Sequence, residues 1–152
     1  MQYWLMKSEP DVFSIDDLAR LGTAPWDGVR NYQARNMLQR MEPGDLFLFY
    51  HSSCTPPGVA GIGRVVGAAY PDRTALDRAS PYHDPRFTET KLPWKAVDVA
   101  HEETFPQLLS LSALRNLPGL EELPLLRRGS RLSVMPVSTG EWEVIVLAAR
   151  QK

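Results

Sequence analysis

The sequence predicts an α+β fold in which a curved sheet or partial barrel is flanked by helices. Apolar runs typical of strands and amphipathic segments typical of helices both occur, and they are mixed without regular β-α-β alternation. The length of 152 residues suits one domain, and no repeat or low-complexity tract divides the chain. We therefore expect a single domain over residues 1–152 that needs no disulfide or metal to fold.

The first strand and the first helix are predicted close to the start of the chain. Residues 3–7 form a short apolar and aromatic run that is typical of a strand. Ser14 and Asp17 have the spacing of a capping box, so a helix is expected to begin there and to end at Gly22.

A second helix and two further strands are predicted next. Asn31 is a suitable N-cap for a helix over 31–41, in which apolar residues recur at helical spacing. Residues 46–51 are apolar on both faces, as in a covered central strand. The glycine-rich segment 59–70 is expected to form a strand that is bent or bulged.

The last third of the sequence predicts two more strands and two more helices. Residues 94–105 alternate as in a half-exposed strand, and residues 109–119 are expected to form a short helix. A strand over 131–137 then precedes a C-terminal helix over 138–150, which opens on a capping-box pattern.

Composition limits the classes of function. The formal net charge of −1 argues against a protein that coats nucleic acid by bulk positive charge, but it allows a local basic pocket. Cys54 is the only cysteine and the sequence does not start like a secretion signal, so we expect a reducing, cytoplasmic setting. No stretch approaches the ~20 apolar residues of a membrane span, so no membrane partner is expected.

The segment 26–36, WDGVRNYQARN, concentrates aromatic, amide and guanidinium groups. Its Asp-Gly pair favours a turn that would leave Trp26 projecting. Arg30 and Asn31 follow at the predicted start of a helix, where free N–H groups favour an anion such as phosphate.

Two further residues of the same segment can extend such a site. Tyr32 and Arg35 are three positions apart and can share a helix face, from which Arg35 can reach a phosphate or stack on a ring. The alternative is ordinary surface chemistry, with a half-buried tryptophan, a capping asparagine and solvated arginines. The residues alone leave both interpretations open.

Two predicted strands become polar where they end. Lys7 and Ser8 close the first apolar run, and His51 and Ser52 close the covered strand. Ordinary loop composition explains either end by itself. Together with segment 26–36, these ends supply the components of a base-reading pocket: an aromatic wall, hydrogen-bonding groups for the base edge and cations for phosphate.

Motifs for catalysis, cofactors and metals are incomplete. The segment Gly61–Gly67 lacks the spacing and the helix opening of a dinucleotide-binding loop, so a bulged strand is expected instead. His51 and Cys54 lack the third group that orients the base of a Cys-His nucleophile, and the histidines lack metal-site spacing. We therefore predict no catalytic residue, no metal site and no cofactor.

Several blocks of the sequence occur in the order seen in a known family. They are YWLMKSEP, WDGVRNYQARN, GDLFLFYHSS, PGVAGIGRVV, AYPDRTALD, YHDP, VDV and RLSVMPV, and they extend from Gln2 to about Leu147. In these blocks the chain resembles the EVE domain family, which includes the thymocyte nuclear protein type. The resemblance implies a PUA-like fold, a pseudo-barrel of mixed strands with helices around it, related to YTH domains. It also implies binding without catalysis, in which a flipped, modified base, especially a modified cytosine in DNA, is accommodated.

Matched residue by residue, the resemblance places the family's pocket on Lys7, Ser8, Trp26, Arg30, Asn31, Tyr32, Arg35, His51 and Ser52, with Tyr82 in a loop that can wall the site. In the leading hypothesis Trp26 or Tyr32 stacks on the base. Three polar side chains read its edge, namely Asn31, Ser8 and His51. Three cations grip phosphate, namely Lys7, Arg30 and Arg35.

Three other functions remain open at this point. Many PUA-like domains bind RNA, so an RNA-binding module is the main alternative. An enzyme acting on a nucleotide or small anion, with His51 as general base, is a further one. The same pocket could also serve a small-molecule sensor. We expect a monomer.

Overall fold

The computed structural model describes residues 1–151, which form seven β-strands, four α-helices and two short 3-10 helices. The strands are β1 Tyr3–Ser8, β2 Thr23–Trp26, β3 Leu46–His51, β4 Gly58–Val65, β5 Tyr70–Pro71, β6 Lys95–Ser110 and β7 Val134–Val137. The helices are α1 Ile15–Leu21, α2 Tyr32–Arg40, α3 Leu111–Arg115 and α4 Thr139–Ala149, and the 3-10 helices are Arg73–Leu76 and Pro124–Leu126. The predicted α+β class is confirmed.

The strands form one open sheet in the order β2-β6-β4-β3-β1-β7, and β5 pairs with the start of β6. Neighbours are antiparallel except β1 and β3, which run parallel. The pairing of β4 with β6 shifts register twice, and such irregularities bend a sheet and increase its twist. The predicted bulge in the glycine-rich strand is therefore confirmed.

The sheet separates two hydrophobic clusters. Successive side chains of a strand point to opposite faces, so Trp4 and Met6 enter one cluster and Leu5 enters the other. Helices α1 and α2 cover the first cluster, and α3 and α4 cover the second. The candidate site described below lies on the side of α1 and α2.

Helix starts follow the local sequence closely. Ser14 and Asp17 form the predicted capping box of α1, which ends at Gly22 with φ +80°. The Asn31 side chain accepts a hydrogen bond from the N–H of Ala34 and so caps α2. The C-terminal helix also starts on its predicted capping box.

Strand β2 is the main element that the sequence did not indicate. It occupies the edge of the sheet, paired with β6, and contains Pro25 at a position where an edge strand tolerates a missing N–H. Several boundaries also differ from the prediction: β4 ends at Val65, β6 continues to Ser110, which shortens α3, and β7 begins at Val134. Across residues 1–151, no helix is both long enough and apolar enough to cross a membrane.

Candidate functional site

The polar ends of the two parallel strands lie side by side. In the register of β1 with β3, Lys7 is opposite Tyr50 and Ser8 is opposite His51. The N–H of Ser52 donates to the carbonyl of Ser8 at 2.9 Å, which extends the pairing beyond the strands. Because both strands run in the same direction, the two polar segments that the sequence singled out meet at one edge of the structure.

A cavity of about 690 Å³ opens beside these strand ends. That volume is in the range of small-molecule pockets, which run from roughly 300 to 1,000 Å³. Its lining comes from six parts of the chain: Lys7, Ser8, Glu9, Val12 and Phe13; Leu21; Ala24–Arg30; Ser52 and Ser53; Tyr82; and Arg131 and Ser133. The cavity thus combines three aromatic side chains with hydroxyl, carboxylate and cationic groups.

Tyr82 forms an aromatic wall of the cavity directly over the turn at Gly28. Gly28 has φ +80°, and a Cβ built there would lie 2.5 Å from Cε1 of Tyr82. Only glycine fits both the backbone conformation and this close approach. Burial raises the pKa of Tyr82, with the charge of Asp27 acting in the same direction, so the phenol is neutral at physiological pH.

Trp26 does not project into solvent, and that expectation was wrong. Its side chain is 6% exposed and packs edge-on against Phe49 and Phe47, with ring centroids 5.2 and 5.5 Å away. The reason is the unpredicted strand β2, which pairs Trp26 with Val97 and turns the indole toward the first hydrophobic cluster. The residue still contributes to the cavity lining, as part of its apolar base.

Arg30 lines the cavity, but its guanidinium is fully engaged by the protein. Nε and Nη2 donate to the carbonyl of Tyr82, Nη2 also donates to Thr74, and Nη1 donates to the carbonyl of Val29 and to Asp72. A guanidinium has five N–H donors, and these are five hydrogen bonds. The expected role of Arg30 in gripping phosphate therefore lacks a free donor, and the residue instead fixes the Tyr82 loop.

Asp72 is the counterpart of Arg30 and ties the same loop to the Gly28 turn. Its side chain is 1% exposed, and its carboxylate accepts hydrogen bonds from Arg30 at 2.9 Å and from the N–H of Gly28 at 2.8 Å. Burial acts to raise the pKa of Asp72, but the hydrogen bonds from Thr74, Gly28 and Arg30 outweigh it and lower the pKa overall. The carboxylate therefore stays ionised and holds the turn in place.

The other candidates of segment 26–36 lie outside the cavity lining. Asn31 is used as the α2 cap, and the ring of Tyr32 packs on Trp94 with centroids 4.8 Å apart. Arg35 donates to the carbonyl of Pro93 at 3.1 Å, and its guanidinium lies 5.2 Å from the Tyr32 ring centroid. Tyr32 and Arg35 anchor α2 to the segment before β6, so the shared helix face exists but does not line the cavity.

His51 is also a structural group. Its Nε2 accepts a hydrogen bond from the N–H of Ile15 at 3.1 Å, which requires that nitrogen to be unprotonated. Burial lowers the pKa of His51, so the neutral form is favoured. Cys54 is not paired with it, since its thiol contacts the carbonyl of Pro56. Within residues 1–151, no group of three or more His, Cys, Asp and Glu is arranged to hold a metal ion.

Lys7, Ser8 and Ser52 do line the cavity, in agreement with their selection from the sequence. The Ser8 hydroxyl donates to the carbonyl of Phe13 at 2.6 Å, which leaves its oxygen free to accept. The ammonium of Lys7 lies 6.0 Å from the ring centroid of Tyr50, and burial lowers its pKa.

The predicted site left out three charged residues of the lining: Glu9, Asp27 and Arg131. Asp27 was assigned only to the turn, yet its half-buried carboxylate accepts no hydrogen bond from another residue within 1–151, and burial, together with the charge of Asp72, raises its pKa. Arg131 comes from just before β7. It reaches the cavity only because β7 pairs with β1, and no local pattern in the sequence indicates that pairing.

Comparison with known proteins decides the family. The EVE domain model matches residues 2–148, nearly the whole chain. The chain belongs to the EVE domain family. Thymocyte nuclear protein 1 of Mus musculus is 39% identical to this EVE domain over 163 residues, which cover 95% of this chain and 72% of that protein.

Solved structures of relatives have the same fold as this EVE domain. A protein from Pseudomonas putida is 64% identical, with a TM-score of 0.95 over 98% of this chain and 99% of that one. The human THYN1 protein, solved in complex with 5-methylcytosine-containing DNA, is 36% identical, with a TM-score of 0.92 over 100% of this chain and 99% of that one.

Proposed function

We propose that this EVE domain binds DNA and holds one modified cytosine base in the cavity beside Tyr82. The observation that carries the proposal is a cavity of about 690 Å³, lined by aromatic and polar groups, in a fold that matches a 5-methylcytosine DNA complex at a TM-score of 0.92. A base inside a duplex cannot reach such a cavity, so the bound nucleotide is turned out of the stack.

The lining offers groups that could stack on a cytosine and hydrogen-bond its edge. Tyr82 stacks on the ring, replacing the roles first given to Trp26 and Tyr32. The Asp27 carboxylate accepts from the exocyclic amine of cytosine, the group that carbonyl-bearing thymine lacks. The hydroxyls of Ser8 and Ser52 complete the contacts to the base edge.

We propose binding and not catalysis. The two side chains that a nucleotide-directed enzyme would use first are committed elsewhere: His51 accepts from the backbone of α1, and Arg30 donates within the Tyr82 loop. Sites that bind tightly by stacking and edge contacts do not require a general base.

The test is a titration of matched duplexes that contain one 5-methylcytosine, one cytosine or one thymine at the same position, with an RNA strand as competitor. We expect the methylated duplex to bind best, and affinity to fall as salt rises. Tyr82→Ala should weaken binding of the methylated duplex by about 1–3 kcal/mol, the usual contribution of one stacked base.

Tyr32→Ala is the matched control, because it removes an exposed tyrosine outside the cavity. It should leave the affinity nearly unchanged. Equal affinity for the methylated and plain duplexes would refute the proposal, and stronger binding of the RNA competitor would favour the RNA-binding alternative.

A further inference from the structure

A second, strongly basic groove lies next to the base cavity. We call it the arginine groove, and it is lined by Asn31, Gln33, Pro124, Arg127, Arg128, Gly129, Ser130, Arg131 and Leu132. Its volume is about 390 Å³. Three of its residues are arginines within the five-residue run RRGSR, in a protein whose formal net charge is −1.

The charge of this groove is not neutralised by the protein. Over the residues that the structure describes, the groove lining contains no aspartate or glutamate. The six ion pairs within residues 1–151 involve none of the three groove arginines. All three arginines are exposed. By contrast, Arg30, Arg64 and Arg150 are each paired with a carboxylate.

The groove adjoins the base cavity. Arg131 lines both, so the groove lies within reach of the backbone next to a base held in the cavity. Asn31 and Gln33, from the start of the nine-residue helix α2, also line the groove. The positive end of the helix dipole adds to the field of the arginines there.

We propose that the arginine groove holds the phosphodiester backbone of the strand whose base occupies the cavity. This inference rests on the proposed function and goes beyond it by assigning the phosphate contacts to Arg127, Arg128 and Arg131. Arginine forks match phosphate oxygens in a bidentate manner, and such contacts position a strand without reading its sequence. The assignment replaces Arg30, whose five donors are used within the protein, and Arg35, which lines neither the cavity nor the groove.

The experiment measures the affinity of methylated and unmethylated duplexes over about 0.05 to 0.2 M salt for the wild-type protein and three double variants. R127Q/R128Q removes two phosphate contacts that lie outside the base cavity, and R127K/R128K keeps the charge. R115Q/R150Q is the charge-matched control, because it removes two exposed arginines, from α3 and the α4 C-terminus, that line neither the groove nor the base cavity; Arg150 is ion-paired with Glu103, so its stability is measured alongside.

R127Q/R128Q should reduce the slope of log affinity against log salt by about 1.8, which corresponds to a loss of roughly 30-fold at 0.15 M salt. The loss should be equal for both duplexes, so the ratio between them stays constant. R127K/R128K should recover most of the affinity, and R115Q/R150Q should keep the wild-type slope. Melting curves for each variant verify that the fold is retained.

An unchanged slope in R127Q/R128Q would overturn the inference, and so would an equal loss in R115Q/R150Q, since that would indicate bulk charge. The two proposals fail separately. If the wild-type protein binds both duplexes equally but R127Q/R128Q still loses slope, base reading is refuted and the phosphate groove stands. If the wild-type protein prefers the methylated duplex but R127Q/R128Q keeps the wild-type slope, base reading stands and the phosphate groove is refuted. Absence of any DNA binding would refute both.

Discussion

Replacing Arg30 by lysine distinguishes a structural arginine from a phosphate-binding one. The guanidinium makes five hydrogen bonds that join the cavity turn to the Tyr82 loop, and 22% of its side chain is exposed. A lysine at this position keeps the positive charge next to Asp72. It has only three donors on one nitrogen and cannot span the same acceptors.

The magnitude follows from the bonds that are lost. At least two of the five hydrogen bonds cannot form in Arg30→Lys. A hydrogen bond made by a charged group contributes about 1.5–3 kcal/mol, and the lower value applies to a partly exposed side chain, so the loss is roughly 3 kcal/mol. In a domain of this size that lowers the melting temperature by roughly 6–12 °C.

The assay is urea unfolding at neutral pH, combined with the affinity for DNA at fixed salt. We expect Arg30→Lys to lower the free energy of unfolding, because the hydrogen bonds to the Tyr82 loop are lost. Arg35→Lys is the matched control and should cost less than about 1 kcal/mol, since Arg35 makes one long-range backbone hydrogen bond. Unchanged stability together with a clear loss of DNA affinity would refute the reasoning, because that is the result expected when a guanidinium fork contacts phosphate instead of holding the Tyr82 loop.

Three further predictions concern the cavity and its surroundings. Gly28→Ala should cost about 1–2 kcal/mol from its positive φ alone, and it should also displace the Tyr82 ring, so calorimetry and methylated-duplex binding should both show a loss; binding at wild-type strength would contradict the close approach seen here. Asp27→Asn should reduce the affinity ratio of 5-methylcytosine to thymine by about tenfold, because the two bases share the methyl group and differ at the amine from which the carboxylate accepts. If competition binding shows an unchanged ratio, Asp27 does not read the base. Burial lowers the pKa of His51, so its contribution to stability is present above the unfolded pKa near 6.5 and is lost as pH falls below it. The free energy of unfolding measured from about pH 7.5 to 5 should show this loss, and His51→Asn should flatten its dependence on pH. A wild-type free energy that is already independent of pH would contradict the prediction.

Local signals were sufficient for the helix starts. Ser14 with Asp17, Asn31, and Ser138 with Glu141 each satisfy backbone N–H groups within their own first turn, so the relevant chemistry is contained in four consecutive residues. The same locality explains the failure at Trp26. Its burial depends on the pairing of β2 with β6, about seventy positions away. Pro25 argues against a strand in the sequence pattern, so β2 was not predicted.

The site was predicted in its composition more than in its geometry. The polar ends at Ser8 and Ser52 were visible in the sequence, and the parallel pairing of β1 with β3 brings them together. The structural role of Arg30 was missed, because its partners Asp72 and Tyr82 lie 42 and 52 positions downstream and no local pattern connects them. Contacts between residues so far apart in sequence depend on the folded structure, and a local motif does not indicate them.

The central claim is that one modified cytosine enters the cavity beside Tyr82. The most direct measurement is an NMR titration of isotope-labelled protein with a short DNA strand that carries a single 5-methylcytosine, compared with the same strand carrying cytosine. We predict that the methylated strand shifts the backbone amides of Gly28, Ser8 and Ser52 more strongly than the plain strand does. Identical shifts with both strands, or shifts confined to surfaces away from these residues, would contradict it.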